Sequence, residues 1–156
     1  MADEPKIPPD ETRGKGDGAS ARPRAGASPV RVLAAVILRE GRYLVCRRPV
    51  HKRHGGLWEF PGGKIEAGES LLEAARREMR EELDLEAVAV GANLAAIREP
   101  GSEFLIEFVE VEVGDSTTVK ALEHDELGWL ATADLAKLDL APSDALFAAW
   151  LLASGR

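Results

Sequence analysis

The chain has 156 residues, of which 45% are hydrophobic and 30% charged, and its formal net charge is −7. That suits one domain with an appendage, provides no run of the ~20 apolar residues that a membrane-spanning helix needs, and works against stable binding to nucleic acid polyanions. It does not oppose binding of a small phosphate through a divalent cation. Cys46 is the only cysteine, so no internal disulfide is possible. It lies in an apolar run and reads as a small core residue of a reducing compartment, which predicts a cytoplasmic protein. Residues 1–28 hold no apolar core of a signal peptide, and their acids argue against a transit peptide.

Residues 1–28 are rich in Pro, Gly, Ala, Ser and charge, with Ile7 the only large aliphatic residue after Met1. Such a segment buries too little apolar surface to offset its ordering entropy, and it is predicted to be a disordered tail. The folded domain is predicted over 29–156. "VRVLAAVILR" reads as a buried strand, "EG" at 40–41 as a turn and "RYLVCRR" as a second strand. A basic loop runs from Pro49 to Gly56. "LWEF" reads as a short strand stopped by "PGG" at 61–63. A helix follows, with Ser70 and Glu73 at capping-box spacing. "AVAVGANLAAI" and "EFLIEFVEVEV" are further strands, parted by the turn at Pro100–Gly101. "ELGWL" is a late short strand, and "TADLAKL" and "PSDALFAAWLLA" are helices. This order predicts a mixed sheet with helices packed on it, an α/β or α+β layered domain.

The helix carries an unusual charge pattern. At ~100° per residue, Glu78, Glu81 and Glu82 fall on one face. Leu72, Ala75, Met79 and Leu83 form an apolar stripe beside them, and Arg76, Arg77 and Arg80 fall on the far side. Three carboxylates so close repel one another unless a cation sits among them. Hard oxygen donors suit Mg²⁺ or Mn²⁺. Gly62 and Gly63, just before the helix, let the backbone approach such a ligand closely. Taken alone, the triplet is better accounted for by i, i+4 ion pairs such as Glu73–Arg77 and Arg77–Glu81 on a wet helix.

The full spacing is more specific. Gly63, Glu69 and the run Arg77-Glu78-Met79-Arg80-Glu81-Glu82-Leu83-Asp84-Leu85 match G-x5-E-x7-R-E-U-x-E-E-x-G-U, where U is aliphatic. The chain thereby resembles the Nudix hydrolase family, over residues 30–153, and the resemblance implies a Nudix fold in which a mixed β-sheet is sandwiched between helices. Asp84 departs from the pattern, which has Gly there. The position ends the helix and calls for a left-handed residue, which Asp tolerates better than most.

By position, the resemblance implies metal-binding and catalytic carboxylates at Glu78, Glu81 and Glu82, with the Gly62 carbonyl as a further ligand. It implies that Glu69 and Arg77 form a supporting salt bridge and that Gly63 belongs to the same turn. "WEFPGGK" and "EHDELGW" are similar to the MutT-type nucleoside triphosphate pyrophosphohydrolases. That similarity implies a late loop glutamate, Glu123, six residues before Trp129, that reaches the metal, with His124, Asp125 and Glu126 as rivals. It implies substrate contacts from Arg48, Arg53, Glu59, Phe60, Pro61 and Gly62.

"LAPSDALF" resembles the base-reading segment of those enzymes. Asp144 stands where an Asn would be, in the manner of the CTP pyrophosphohydrolase branch. An ionised Asp only accepts hydrogen bonds, which suits a base with an exocyclic amine such as cytosine. Asp144 is equally accounted for by the first turn of the last helix, where the macrodipole favours it. The expectation is Mg²⁺-dependent hydrolysis of a nucleoside triphosphate, (d)CTP or a modified cytosine nucleotide, to the monophosphate and pyrophosphate. The alternatives are 8-oxo-dGTP hydrolysis and a non-catalytic nucleotide-binding domain.

Overall fold

The computed structural model describes residues 26–156 except residue 117. The disorder expected of 1–28 therefore concerns residues that, but for 26–28, lie outside this range. Two four-stranded sheets carry the fold. The first is mixed, in the order β5 (Gly62–Lys64), β1 (Val30–Val36), β7 (Phe104–Val113), β6 (Ala87–Arg98), with β1 and β7 parallel. In the second, β3 (Arg42–Arg47) pairs with β2 (Leu38–Arg39), β4 (Trp58–Glu59) and β8 (Glu126–Leu130), all antiparallel.

β1 is apolar on both faces because both are covered. Leu33 and Ala35, with Ile37 beyond the strand, join the core under α1 (Leu71–Leu83). Ala34 and Val36 join the core under α3 (Pro142–Ala153). That alternation is the period of two of a strand between two helical layers. Met79 and Leu83 of α1 are fully buried, each contributing about 1.5–3 kcal/mol by area. On the opposite side Phe147 of α3 stacks on Phe108, with ring centroids 4.1 Å apart. The layered, mixed-sheet fold read from the sequence is the one observed.

Several boundaries differ. The run "VRVLAAVILR" is two strands, since Val36 ends one sheet and Leu38 begins the other. β4 does end before "PGG", but a new strand follows at once. Gly62–Lys64 is itself a strand, with Gly62 opposite Ala34. It lies so close to β1 that a Cβ on Gly62 would overlap the Leu33 carbonyl, so only glycine fits. α2 (Thr132–Leu135) is shorter than "TADLAKL", and no side chain caps its start at Ala131.

α1 begins and ends as its sequence predicts. Ser70 and Glu73 form the complete capping box, and Asp84 ends the helix at φ 54°, in the left-handed region. The Lys120 ammonium lies 2.7 Å from the Asp84 carboxylate.

Candidate active site

Glu78, Glu81 and Glu82 of α1 are not equivalent. Glu78 and Glu82 are 8% and 7% exposed, whereas the Glu81 side chain is 53% exposed. Glu78 and Glu82 are one helical turn apart and face β5, and Glu81 is stepped round toward solvent. Glu82 Oε2 accepts the Gly62 N–H at 3.0 Å. Gly63 leaves a cradle that the Glu78 carboxylate fills, since a Cβ there would overlap it.

Arg77 does not point away as the helical wheel suggests. Its guanidinium folds back and donates to both Glu69 oxygens at 2.8 Å, to the Lys64 carbonyl at 2.9 Å and to Glu78 Oε1 at 2.6 Å. This fork clamps β5 and the loop after it onto the helix. The Arg77 hydrogen bonds hold Glu69 down to about 2.

Burial pushes the Glu82 carboxyl up to about 9, helped by the charges of Glu78, Glu59 and Glu123. Burial also raises Glu78. Glu123, exposed on the loop before β8, acts electrostatically on both. Among the described residues no three such side chains converge on one point as they stand. Glu78 is turned onto Arg77, and Glu82 onto the Gly62 amide. The donor chemistry nevertheless fits a hard divalent cation, because crowded carboxylates that hinder one another's ionisation are relieved by one.

Beside this acidic face lies a cavity lined in part by Arg48, Glu59, Phe60, Gly62, Ser143 and Asp144. Arg48 donates to both Glu59 oxygens at 2.9 and 2.8 Å. His124 Nε2 lies 3.1 Å from Glu59 Oε1, which ties the Glu123 loop to the cavity wall. Arg53 is more exposed. It lies 3.0 Å from Glu99 and over the Phe104 ring. Pro61 is buried between Phe60 and Gly62, and its carbonyl accepts the Ala35 N–H. His54 reaches Glu99 at 3.1 Å and lines the same cavity.

Asp144 is buried at the start of α3, and its Oδ1 accepts the Phe60 N–H at 2.8 Å. Burial pushes its carboxyl up to about 8; Glu59 adds to this, while the Phe60 N–H and Arg48 act against it. Burial thus favours the neutral acid, which can donate as well as accept. This setting differs from the solvated, ionised Asp144 expected above, because the sequence does not reveal how deeply the first turn of α3 is buried. Ser143, Lys64, Glu99 and Phe104 also line the cavity and were missed. Ser143 had a signal, since it sits between Pro142 and Asp144 in the segment singled out for base recognition. The others come from strand ends whose meeting is purely tertiary.

A NUDIX domain model matches residues 28–151. The chain is 40% identical to the CTP pyrophosphohydrolase of Escherichia coli over 116 residues, covering 74% of this chain and 85% of that one. The solution structure of the Escherichia coli ORF135 protein is similar, with a TM-score of 0.68 and 37% identity over 86% of this chain and 97% of that one. A structure from a study of MutT from Aliivibrio salmonicida and Vibrio cholerae also has a TM-score of 0.68, at 29% identity, covering 80% and 98%. Arg77, Glu78 and Glu82 of the motif are thus found on a fold shared with these proteins, and the chain belongs to the Nudix hydrolase family.

Proposed function

We propose that this protein is a Mg²⁺-dependent pyrophosphohydrolase that splits a nucleoside triphosphate into the monophosphate and pyrophosphate. The observation that carries this reading is the position of Gly62. It lines the cavity and at the same time donates its N–H to Glu82, so a nucleotide in the cavity has its phosphates at the carboxylate face.

Glu78, Glu82, the Gly62 carbonyl and the more exposed Glu81 and Glu123 are the groups that would hold the metal. A bound divalent cation supplies charge neutralisation for the phosphates and a lowered pKa for an attacking water. Arg77 fixes the orientation of Glu78 and keeps β5 against the helix. Arg48 presents a guanidinium at the cavity wall, where it can turn from Glu59 to a phosphate or ribose oxygen. Glu81 and Glu123, being exposed, are placed to take the water's proton.

For the base, the first choice is (d)CTP or a modified cytosine nucleotide, in nucleotide-pool housekeeping. The likeness to the Escherichia coli CTP pyrophosphohydrolase supports it. The raised Asp144 carboxyl favours a second reading. A carboxylic acid that donates suits a base with a carbonyl at that edge, such as 8-oxoguanine, whose removal from the triphosphate pool guards DNA against mutation. Initial rates with Mg²⁺ on CTP, dCTP, 5-methyl-dCTP, UTP and 8-oxo-dGTP test both. A leading specificity constant for a cytosine nucleotide supports the first reading, and one for 8-oxo-dGTP supports the second. Absence of turnover with every triphosphate contradicts the proposal.

A further inference from the structure

Ser143 is 3% exposed, and its Oγ is buried without a hydrogen-bond partner. It lines the cavity next to Asp144. A hydroxyl removed from water and left unpaired costs the fold stability, so its presence calls for an explanation. Helix capping does not provide one. The N-cap of α3 is Ala141, which makes no side-chain cap bond, and Pro142 follows in the first turn. Ser143 stands one position further on, where the helix has no use for its hydroxyl.

The other buried polar groups of the cavity have partners, and Lys64, whose ammonium lies over the Phe104 ring, is exposed. Arg48 holds Glu59, Glu59 also meets His124, and Asp144 Oδ1 takes the Phe60 N–H. Glu99 Oε2 makes no hydrogen bond but lies 3.0 Å from the Arg53 guanidinium. Around them Phe60, Phe104, Ile106 and Ala141 supply apolar surface for the faces of a flat ring. A hydroxyl can both donate and accept, and Asp144 beside it adds a second polar group. Two adjacent polar groups in an apolar slot complement the edge of a heterocycle, not a phosphate.

We propose that the Ser143 hydroxyl reads the nucleobase, hydrogen-bonding the polar edge of the base beside Asp144. This rests on the reading of the site as a nucleoside triphosphate site and adds a specificity-determining residue to it. In the nucleotide complex the hydroxyl gains the partner it lacks in the free protein.

The test is binding, kept separate from turnover. Wild type and Ser143→Ala are titrated calorimetrically, with Mg²⁺, against α,β-methylene analogues of CTP and of 8-oxo-dGTP and against inorganic tripolyphosphate, which has no base. Ser143→Ala is expected to weaken the preferred nucleotide analogue by about two- to tenfold, the effect of one neutral hydrogen bond. Tripolyphosphate binding should not change. The free variant should melt at the wild-type temperature or higher, since it loses an unpaired buried group. Equal affinity for the nucleotide analogues, an equal loss for tripolyphosphate, or no binding of either analogue to the wild type overturns the inference. Failure of the wild type to cleave any triphosphate while these binding differences hold overturns the proposed reaction and leaves the base contact standing.

Discussion

The Phe60 N–H donates to Asp144 Oδ1 at 2.8 Å, joining positions 84 residues apart. This bond fastens the segment leading into Gly62 and Gly63 to the first turn of α3. Asp144 and the Glu82 carboxylate are thus both tied to the short segment Phe60–Gly62. A change at Asp144 is therefore expected to be felt at both ends of the substrate.

With Asp144 at the base, as proposed, base preference is expected to depend on pH. Its carboxyl, ordinarily near 3.8, is pushed up to about 8 by burial. Below that value the neutral acid donates; above it the carboxylate only accepts. The ratio of specificity constants for CTP over UTP should therefore rise between about pH 6.5 and about pH 8.5, and Asp144→Asn should flatten the rise. The same shift acts on stability. A carboxyl with a raised folded value stabilises the fold fully below its ordinary value and loses that contribution as pH rises through about 8. Wild type should thus lose melting temperature over this range more steeply than Asp144→Asn. A flat CTP/UTP ratio in the wild type would remove Asp144 from base recognition.

Glu82→Gln separates function from stability. Glu82 is buried against Glu78 and Glu59, a poor place for a charge without a cation. In EDTA the variant should melt above wild type, because an amide carries no charge to bury and can still accept the Gly62 N–H. With saturating Mg²⁺ its turnover should fall by about a hundredfold or more. Near-normal turnover would take Glu82 out of the metal site.

The parts of this site legible in the sequence are those whose spacing is local. Ser70–Glu73 and Glu78–Glu82 are set by helical geometry, and α1 forms as its residues predict. The left-handed Asp84 was also readable, because a helix end restricts its residue. What was not legible depends on meetings across the fold. Gly62–Lys64 becomes a strand only because β1 lies beside it. The motif implied the Glu69–Arg77 pair, but not the reach of Arg77 to the Lys64 carbonyl and Glu78. The Asp144 carboxyl is raised only because the fold buries it and brings Glu59 near.

Gly62→Ala and Gly63→Ala should fail in different ways. A Cβ on Gly62 meets the Leu33 backbone, which cannot shift without opening the β1–β5 pairing. That variant should lose melting temperature markedly. A Cβ on Gly63 meets the far end of the Glu78 side chain, which can move. Gly63→Ala should melt near wild type while needing more Mg²⁺ for half-maximal rate. Equal melting temperatures for the two variants would contradict the packing described.

Arg77→Lys keeps the charge and loses the fork. A lysine cannot hold both Glu69 oxygens, the Lys64 carbonyl and Glu78 together. A melting temperature lower by a few degrees is expected, with a specificity constant lower by about tenfold as Glu78 loses its orientation. An unchanged Mg²⁺ requirement and specificity constant would make the fork purely structural.

The central claim is that the carboxylate face of α1 directs a divalent-cation-dependent cleavage between the α and β phosphates. The most direct measurement is phosphorus NMR of CTP incubated with the protein, with Mg²⁺ and with EDTA, alongside Glu82→Gln. If turnover with CTP is slow, 8-oxo-dGTP replaces it. The account predicts the monophosphate and pyrophosphate in equal amounts with Mg²⁺, and essentially none with EDTA or in the variant. Release of the diphosphate and orthophosphate, or cleavage undiminished in EDTA, would contradict it.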